Sequence, residues 1–284
     1  MSSLENVTVL DGLGLEFISG LGLPPVEYVE LAARLGCRAI GFAPEPIAGP
    51  LPGREGWTLR DNPVLQRELK QALAEHGLTI PLGEGFLIMP GRSIADAEGD
   101  LVMLAELGAA RLNACMLEPD RPRAIDEFGR FAEMARQHGL PVTIEFIPGM
   151  ALGSLAETLD FLREVGAANA GVLVDAMHLF ASGGTAADLT AAPPGLIHYA
   201  QLCDARLSGL YEGYYEDARC DRPAPGAGIL PLAEFVAALP ANCPIGLELP
   251  MLTRAEAGET LEALLAPALA NGRALLAATS GAIA

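Results

Sequence analysis

Residues 171–175 read Gly, Val, Leu, Val, Asp. This apolar run stops on an acid. His178 follows three residues later, and Ser182, Gly183 and Gly184 then break the backbone. A short apolar run bounded by turn residues predicts a strand buried on both faces, as parallel strands are. The same alternation of short runs with helical spacing recurs along the chain. Strands are predicted over 13–18, 38–42, 78–82, 110–115, 141–147, 171–175, 196–204 and 244–248. Helices are predicted over 24–36, 62–77, 93–108, 122–139, 154–166, 184–191, 231–239 and 255–278. Several start with proline or a capping residue and stop at glycine. Ser93 is the expected N-cap of the third. A loop rich in Pro and Gly after the second strand holds Trp57, expected either to wall a pocket or to cover the core.

Eight strand–helix units without a break in composition predict one domain over 1–284, an α/β fold with a single (β/α)8 TIM barrel. The competing architecture is an open doubly wound sheet. That sheet normally carries a glycine fingerprint after its first strand. Gly12, Gly14, Gly20 and Gly22 do not have the G-x-G-x-x-G spacing.

Composition narrows the function. A net charge of -18 repels phosphate backbones and anionic lipid, so nucleic acid and membrane are not expected partners. Only 5% of the chain is aromatic, leaving few platforms for stacking bases. Five cysteines, an odd number with no CxxC, predict reduced thiols and a cytoplasmic location. The N-terminus lacks a basic region followed by an apolar core, and no uninterrupted apolar span of about 20 residues is read. Association of copies through outer helices or long loops, giving a homo-oligomer, stays open.

Four strands end in an oxygen-bearing side chain: Glu145, Asp175, Gln201 and Glu248. In a barrel such ends converge on one mouth, where these folds build their sites. Three carboxylates pressed together repel unless a cation joins them. Oxygen ligands favour Mn²⁺ or Mg²⁺, with zinc and cobalt as secondary candidates. At each position the alternative is a strand-end cap or salt bridge. His178 can hydrogen-bond a substrate oxygen, shuttle a proton, or simply pack. His198 has the opposite strand parity to Gln201 and is read as structural. The polar loop 205–228 holds Arg206 and Arg222, which suit carboxylate, phosphate or polyol oxygens. Glu84, read as following the third strand, faces the same rim. Neither G-x-S-x-G nor a Walker loop occurs.

These residues resemble the xylose-isomerase-like TIM-barrel superfamily of sugar isomerases, epimerases and dehydratases. The resemblance rests on Thr143 to Glu145, Val174 to His178 with Ser182 to Gly184, Tyr199 to Asp204, Arg222 with Pro225 and Gly226, and Leu247 to Pro250. It implies that Glu145, Asp175 and Glu248 bind a divalent metal. Gln201 takes the fourth position, which is His in many members and Gln in some similar to inosose and dehydroshikimate dehydratases. The histidine matching His178 binds substrate in the ketose epimerases. Two departures stand out. The further glutamate usual in ketose 3-epimerases falls at Ala151, and a histidine frequent in the dehydroshikimate dehydratases falls at Ile147. The DNA-repair endonucleases of the superfamily need a histidine-rich zinc site, and this chain has four histidines.

The expectation is therefore a metal-dependent isomerase or epimerase of a keto-sugar or related polyol, working through an enediolate. Glu145 and Glu248 would be the acid and base. His178 and Arg222 would fix the substrate, with Arg206 as a weaker candidate. One alternative is a dehydratase or other lyase on the same site. Another is a non-enzymatic metal- or sugar-binding barrel subunit.

Overall fold

The computed structural model describes residues 12–47 and 56–280. Eight parallel strands close into a barrel in chain order: β1 (Gly14–Leu15), β2 (Ala39–Phe42), β3 (Thr79–Ile88), β4 (Leu112–Met116), β5 (Val142–Glu145), β6 (Ala170–Asp175), β7 (Ile197–Leu202) and β8 (Ile245–Leu247). β1 pairs with both β2 and β8, so no edge strand remains and the open-sheet alternative is excluded. The outer layer is built from α1 (Pro25–Arg34), α2 (Pro63–His76), α3 (Glu98–Glu106), α4 (Arg121–Gln137), α5 (Leu155–Val165), α6 (Ala176–Ala181), α7 (Ala186–Ala191), α8 (Tyr214–Cys220), α9 (Leu232–Ala238), α10 (Leu252–Glu256) and α11 (Leu261–Ser280).

Strand parity divides the interior into two regions. One set of alternate residues points outward to the helices: Leu15, Ile40, Phe42, Val142, Ile144, Val172, Val174, Ala200, Leu202 and Leu247 join one continuous apolar core. The other set points into the barrel. There Leu82, Leu173 and Tyr199 form a small separate apolar cluster. The guanidinium of Arg111 lies 5.3 Å from the Tyr199 ring centroid. Toward the carboxyl ends the inward positions turn polar. Glu16 comes just after β1, Glu84 lies in β3, Asn113 in β4, Glu145 ends β5, Asp175 ends β6, Gln201 lies in β7, and Glu248 comes just after β8. All seven are buried.

The space for Glu16 is made by glycine. A Cβ on Gly246 would collide with Glu16 Oε1, and one on Gly41 with Glu16 Oε2. Neighbouring strands thus give up side chains to seat one carboxyl group.

Several boundaries differ from the sequence reading. β3 runs to Ile88, so Glu84 lies within the strand and not after it. The first strand is only Gly14–Leu15, followed by a 3₁₀ turn at Phe17–Gly20. The loop 205–228 contains α8. The closing helix is two helices: Gly258 takes φ 97°, which ends α10, and Thr260 Oγ1 accepts a hydrogen bond from Ala263 N at the start of α11. Residues 261–279 of α11 are long and apolar enough to cross a membrane by length and composition, although Glu262 and Arg273 interrupt the apolar run. Leu264, Leu265, Ala268, Leu269 and Leu276 of this helix are nonetheless buried in the apolar core. Trp57 packs on that core, with its ring 5.9 Å from Phe17 and its Nε1 donating to Gly22 O at 3.1 Å. The N-terminal segment searched for a leader and residues 48–55 of the second loop lie outside the described residues.

Gly246→Ala should destabilise the protein by about 3 kcal/mol, the upper range for overpacking a tight interior. Glu16→Ala in the same chain should restore part of that loss, because it removes the atoms the new methyl meets. Chemical denaturation of the two single variants and the double variant checks this.

Candidate active site

Asp175 explains the spacing to His178. It is the N-cap of α6, and its Oδ1 accepts from His178 N at 2.9 Å. The capping and site readings therefore hold together: one carboxylate ends β6, starts α6 and lies in the mouth. Its Oδ2 accepts from Arg222 Nη1 at 2.5 Å and from Cys203 Sγ at 3.4 Å. Arg222 is buried and also meets Glu248: Nη2 lies 2.7 Å from Oε2, an ion contact without hydrogen-bond alignment. The guanidinium thus bridges the acids of β6 and β8.

Glu145 sits across the mouth. Its Oε2 accepts from Asn113 Nδ2 at 3.2 Å and from Cys115 Sγ at 3.5 Å. Asn113 is held for this by Thr143 Oγ1, 2.8 Å from Asn113 Oδ1. Glu145 Oε1 lies 3.5 Å from His178 Nε2. The other ring nitrogen, Nδ1, is 2.6 Å from the hydroxyl of Tyr214. Burial pushes the His178 pKa down to about 4, so the imidazole is neutral near pH 7. Burial also raises the Tyr214 pKa, so its hydroxyl keeps its proton. A neutral ring has one donor and one acceptor. With Tyr214 donating to Nδ1, the Nε2 hydrogen faces Glu145.

Gln201 lies beside Asp175 in the β6–β7 register and beside Gly246 in the β7–β8 register. Its Nε2 donates to Glu84 Oε1 at 3.5 Å. Its Oε1 is buried with no donor, as are Glu84 Oε2 and Glu16 Oε2. Glu16 Oε1 accepts from the Tyr199 hydroxyl at 2.6 Å.

The electrostatics follow from this crowding. Five acids are buried here and Arg222 is the arginine in contact with them. Burial raises Glu16 and Glu145 to about 7, and it carries Glu84 and Glu248 well above the carboxylate range. Repulsion from neighbouring acids adds to each shift. Asp175 differs. Burial pushes it up too, but Arg222, His178 and its helix-capping bond together hold it well below the usual range. Without an added cation the mouth keeps protons on most of its acids.

The four expected ligands, Glu145, Asp175, Gln201 and Glu248, stand buried at the carboxyl ends of consecutive strands. Their chemistry fits a hard divalent ion: the set is all oxygen, and Gln201 Oε1 has no donor. As the side chains stand, no three His, Cys, Asp or Glu among the described residues converge closely enough to hold a metal. Arg222 occupies the contact between Asp175 and Glu248. Of the two arginines expected to meet substrate, Arg222 reaches the acids. Arg206 is exposed and pairs with Asp217 at 3.2 Å. Sequence reasoning missed Glu16 and gave Tyr214 and Asn113 no role. Glu16 falls inside the apolar run 13–18, just after β1.

The segment that delivers Arg222 is held by Asp204, just after β7. Its carboxylate accepts from the backbone N–H groups of Ala205, Gly226, Gly228 and Leu230 at 2.9–3.0 Å. Tyr215 ties the same segment to the loop after β5 by donating to Pro148 O at 2.7 Å.

A family model for the xylose isomerase-like TIM barrel matches residues 29–266. The chain belongs to this family. A curated relative, 3-dehydroshikimate dehydratase of Pseudomonas aeruginosa (strain PAO1), is 27% identical over 242 residues. The match covers 75% of this chain and 38% of that protein, so the chain spans under half of the relative's length. Two solved structures share the fold. The IOLI protein with a binding zinc atom is 16% identical with a TM-score of 0.74, covering 94% of this chain and 97% of that one. The D-psicose 3-epimerase of Clostridium cellulolyticum H10 is 15% identical with a TM-score of 0.69, covering 93% and 99%. The family thus joins isomerases, epimerases and dehydratases of small carbohydrate-like molecules.

The acids set a pH dependence for the metal-free protein. Glu16 and Glu145 have folded pKa values of about 7 against 4.5 for a free glutamate. Their contribution to stability is full below pH 4.5 and lost as pH rises through 7. His178 acts in the opposite sense, losing stability as pH falls from 6.5 to about 4. Two acids outweigh one imidazole. The melting temperature of EDTA-treated protein should fall between pH 4.5 and 7, with a shallower slope in Glu16→Gln. Scanning calorimetry across that range checks it.

Proposed function

We propose that this barrel is a divalent-metal-dependent isomerase or epimerase of a keto-sugar or related polyol, acting by proton transfer at the carbon beside a carbonyl. The observation that carries this reading is the excess of buried acids at the mouth, together with acceptor oxygens that have no donor. Such a site is incomplete without a cation. Glu145, Asp175, Gln201 and Glu248 would hold the ion, Mn²⁺ or Mg²⁺ by the hardness of their oxygens, with zinc and cobalt as weaker alternatives. When bound, it would supply Lewis acidity toward adjacent carbonyl and hydroxyl oxygens.

The chain's own groups account for the rest. Glu145 and Glu248 stand on opposite sides of Asp175, and buried carboxyls with raised pKa values suit proton transfer near neutrality. One would take the proton from carbon and the other would return one to the enediolate. His178, neutral and held by Tyr214, would direct its Nε2 hydrogen to a substrate oxygen when that oxygen replaces its contact with Glu145. Arg222, turned from its acids by the incoming ion, would meet a second substrate oxygen. The exposed Arg206 serves only as a distant rim charge in this reading.

A second reading keeps the site and changes the outcome: the enolate expels a β-hydroxyl, and the enzyme is a dehydratase. The dehydratase relative, matched over three-quarters of this chain, favours it. In both readings the partner is a small carbohydrate-like molecule.

Incubation of a panel of ketoses, inososes and cyclic keto acids with Mn²⁺ in D₂O should incorporate deuterium at carbon. EDTA should abolish exchange, and Glu145→Gln or Glu248→Gln should slow it by about 10²–10⁴-fold. Mass spectrometry separates the readings, since isomerisation adds only the mass of the exchanged deuterium and dehydration loses water. Absence of exchange in every substrate, with Mn²⁺ still bound, would leave a metal-binding barrel without enolising activity.

A further inference from the structure

Three of the buried acceptor oxygens with no donor belong to Glu16, Glu84 and Gln201. Glu16 Oε2, Glu84 Oε2 and Gln201 Oε1 are all fully enclosed. The Glu16 oxygen fills the place of a Cβ on Gly41, and the Glu84 oxygen lies 3.3 Å from that same point. The two acids therefore share one small polar chamber, and its third wall is the Gln201 amide. Gln201 Nε2 donates to Glu84 Oε1, and the amide also pulls the Glu16 carboxyl down.

An amide has two unlike ends. Turned the other way, Gln201 would press its carbonyl oxygen against two carboxyl groups. Its NH₂ would then point away from them. In their ionised form the acids exclude that arrangement by repulsion, and they favour the observed one by accepting hydrogen bonds. The consequence is that Oε1 is left free, buried and facing away from the chamber.

We propose that Glu16 and Glu84 are positioning residues: their carboxyl groups fix the orientation of the Gln201 amide, so that Oε1 is presented as a ligand to a divalent ion in the mouth. This rests on the metal-dependent reading above and adds a reason why an amide can stand in the ligand set. Amides are weak ligands, and one free to rotate would present NH₂ to a cation part of the time. Glycine at 41 and 246 is then part of the same device, since side chains there would displace Glu16.

The test uses the full chain and Mn²⁺ alone. Titration calorimetry compares the wild type, Glu16→Gln/Glu84→Gln, Gln201→Glu, and the triple variant. Glutamate at 201 has two equivalent oxygens, so its orientation carries no information. The Glu16→Gln/Glu84→Gln pair should cost about 10–100-fold in Mn²⁺ affinity when residue 201 is Gln, as loss of partners behind a ligand does. The same pair should cost under about 3-fold when residue 201 is Glu. Equal losses in both backgrounds overturn the proposal, because the acids would then act through charge alone. Glu84→Gln by itself serves if the double variant does not fold.

A metal-independent readout separates this from failure of the function. The Gln201 side-chain NH₂ signals, assigned by their disappearance in Gln201→Glu, should be protected from solvent exchange in metal-free wild type and lose protection in Glu16→Gln/Glu84→Gln. Unchanged protection overturns the positioning role. A wild type that binds no Mn²⁺ yet shows the protection change overturns the metal reading and leaves the orientation of the amide standing.

Discussion

The constraint on which the rest depends is the burial of like charge. Five carboxyl groups share the upper barrel, and bringing such groups out of water is costly unless each finds a partner. Each acid here is handled differently. Asp175 has an arginine and a helix N-terminus. Glu145 has an amide and a thiol. Glu16 has a tyrosine hydroxyl, and Glu84 has the Gln201 amide. Glu248 meets the guanidinium through an oxygen without hydrogen-bond alignment. The partners are neutral for most of them, so burial keeps protons on most of these acids in the metal-free protein. A low-dielectric mouth of this kind favours protons or a cation over bare carboxylates.

The fold tolerates this because its stability is generated elsewhere. The continuous apolar core lies between sheet and helices, on the outward parity of the strands except β3, where register shifts let Ile80, Phe86 and Ile88 join the core while Leu82 points inward. The inward parity contributes only a three-residue apolar cluster. Polar inward residues therefore do not interrupt the main core. A one-residue change in strand register would exchange the two sets and bury the acids among leucines, so the same parity that places the site also penalises misregistration.

How much was legible follows from the same division. Acids ending an apolar run are visible as breaks in a pattern, and Glu145, Asp175 and Glu248 were found that way. Gln201 was read as an oxygen-bearing side chain toward its strand's end, and its place among the ligands came from the resemblance. Glu16 escaped because β1 is only two residues long and Phe17 and Ile18 continue the apolar run past it. The break was masked by a 3₁₀ turn that is itself buried. Glu84 was placed beyond its strand because Gly83 and Gly85 flank it. Those glycines look like a turn, yet β3 passes through them, with Gly85 at φ 98°. Composition does not separate Arg206 from Arg222 in the polar loop, and Arg222 was ranked first on the resemblance. The path of that loop separates them physically, and the path is set by contacts far apart in sequence.

Those contacts begin with Asp204, a residue quoted in the sequence for its resemblance but given no task. Its carboxylate collects four backbone N–H groups from a stretch with Gly226 at φ 85°. Gly228 lies so close to Asp204 that a side chain there would collide with the carboxylate. The acid after β7 and the glycines some twenty residues later are thus one structure, and Arg222 is carried between them. Its backbone is pinned as well, with Arg222 N donating to Pro250 O at 2.9 Å. Pro250 lies two residues beyond Glu248, so the arginine is registered against the strand end whose acid it contacts. A flexible lid arginine would lose conformational entropy on reaching a buried acid. Here that loss is already met by the loop, and the guanidinium arrives at the mouth as a fixed group between Asp175 and Glu248.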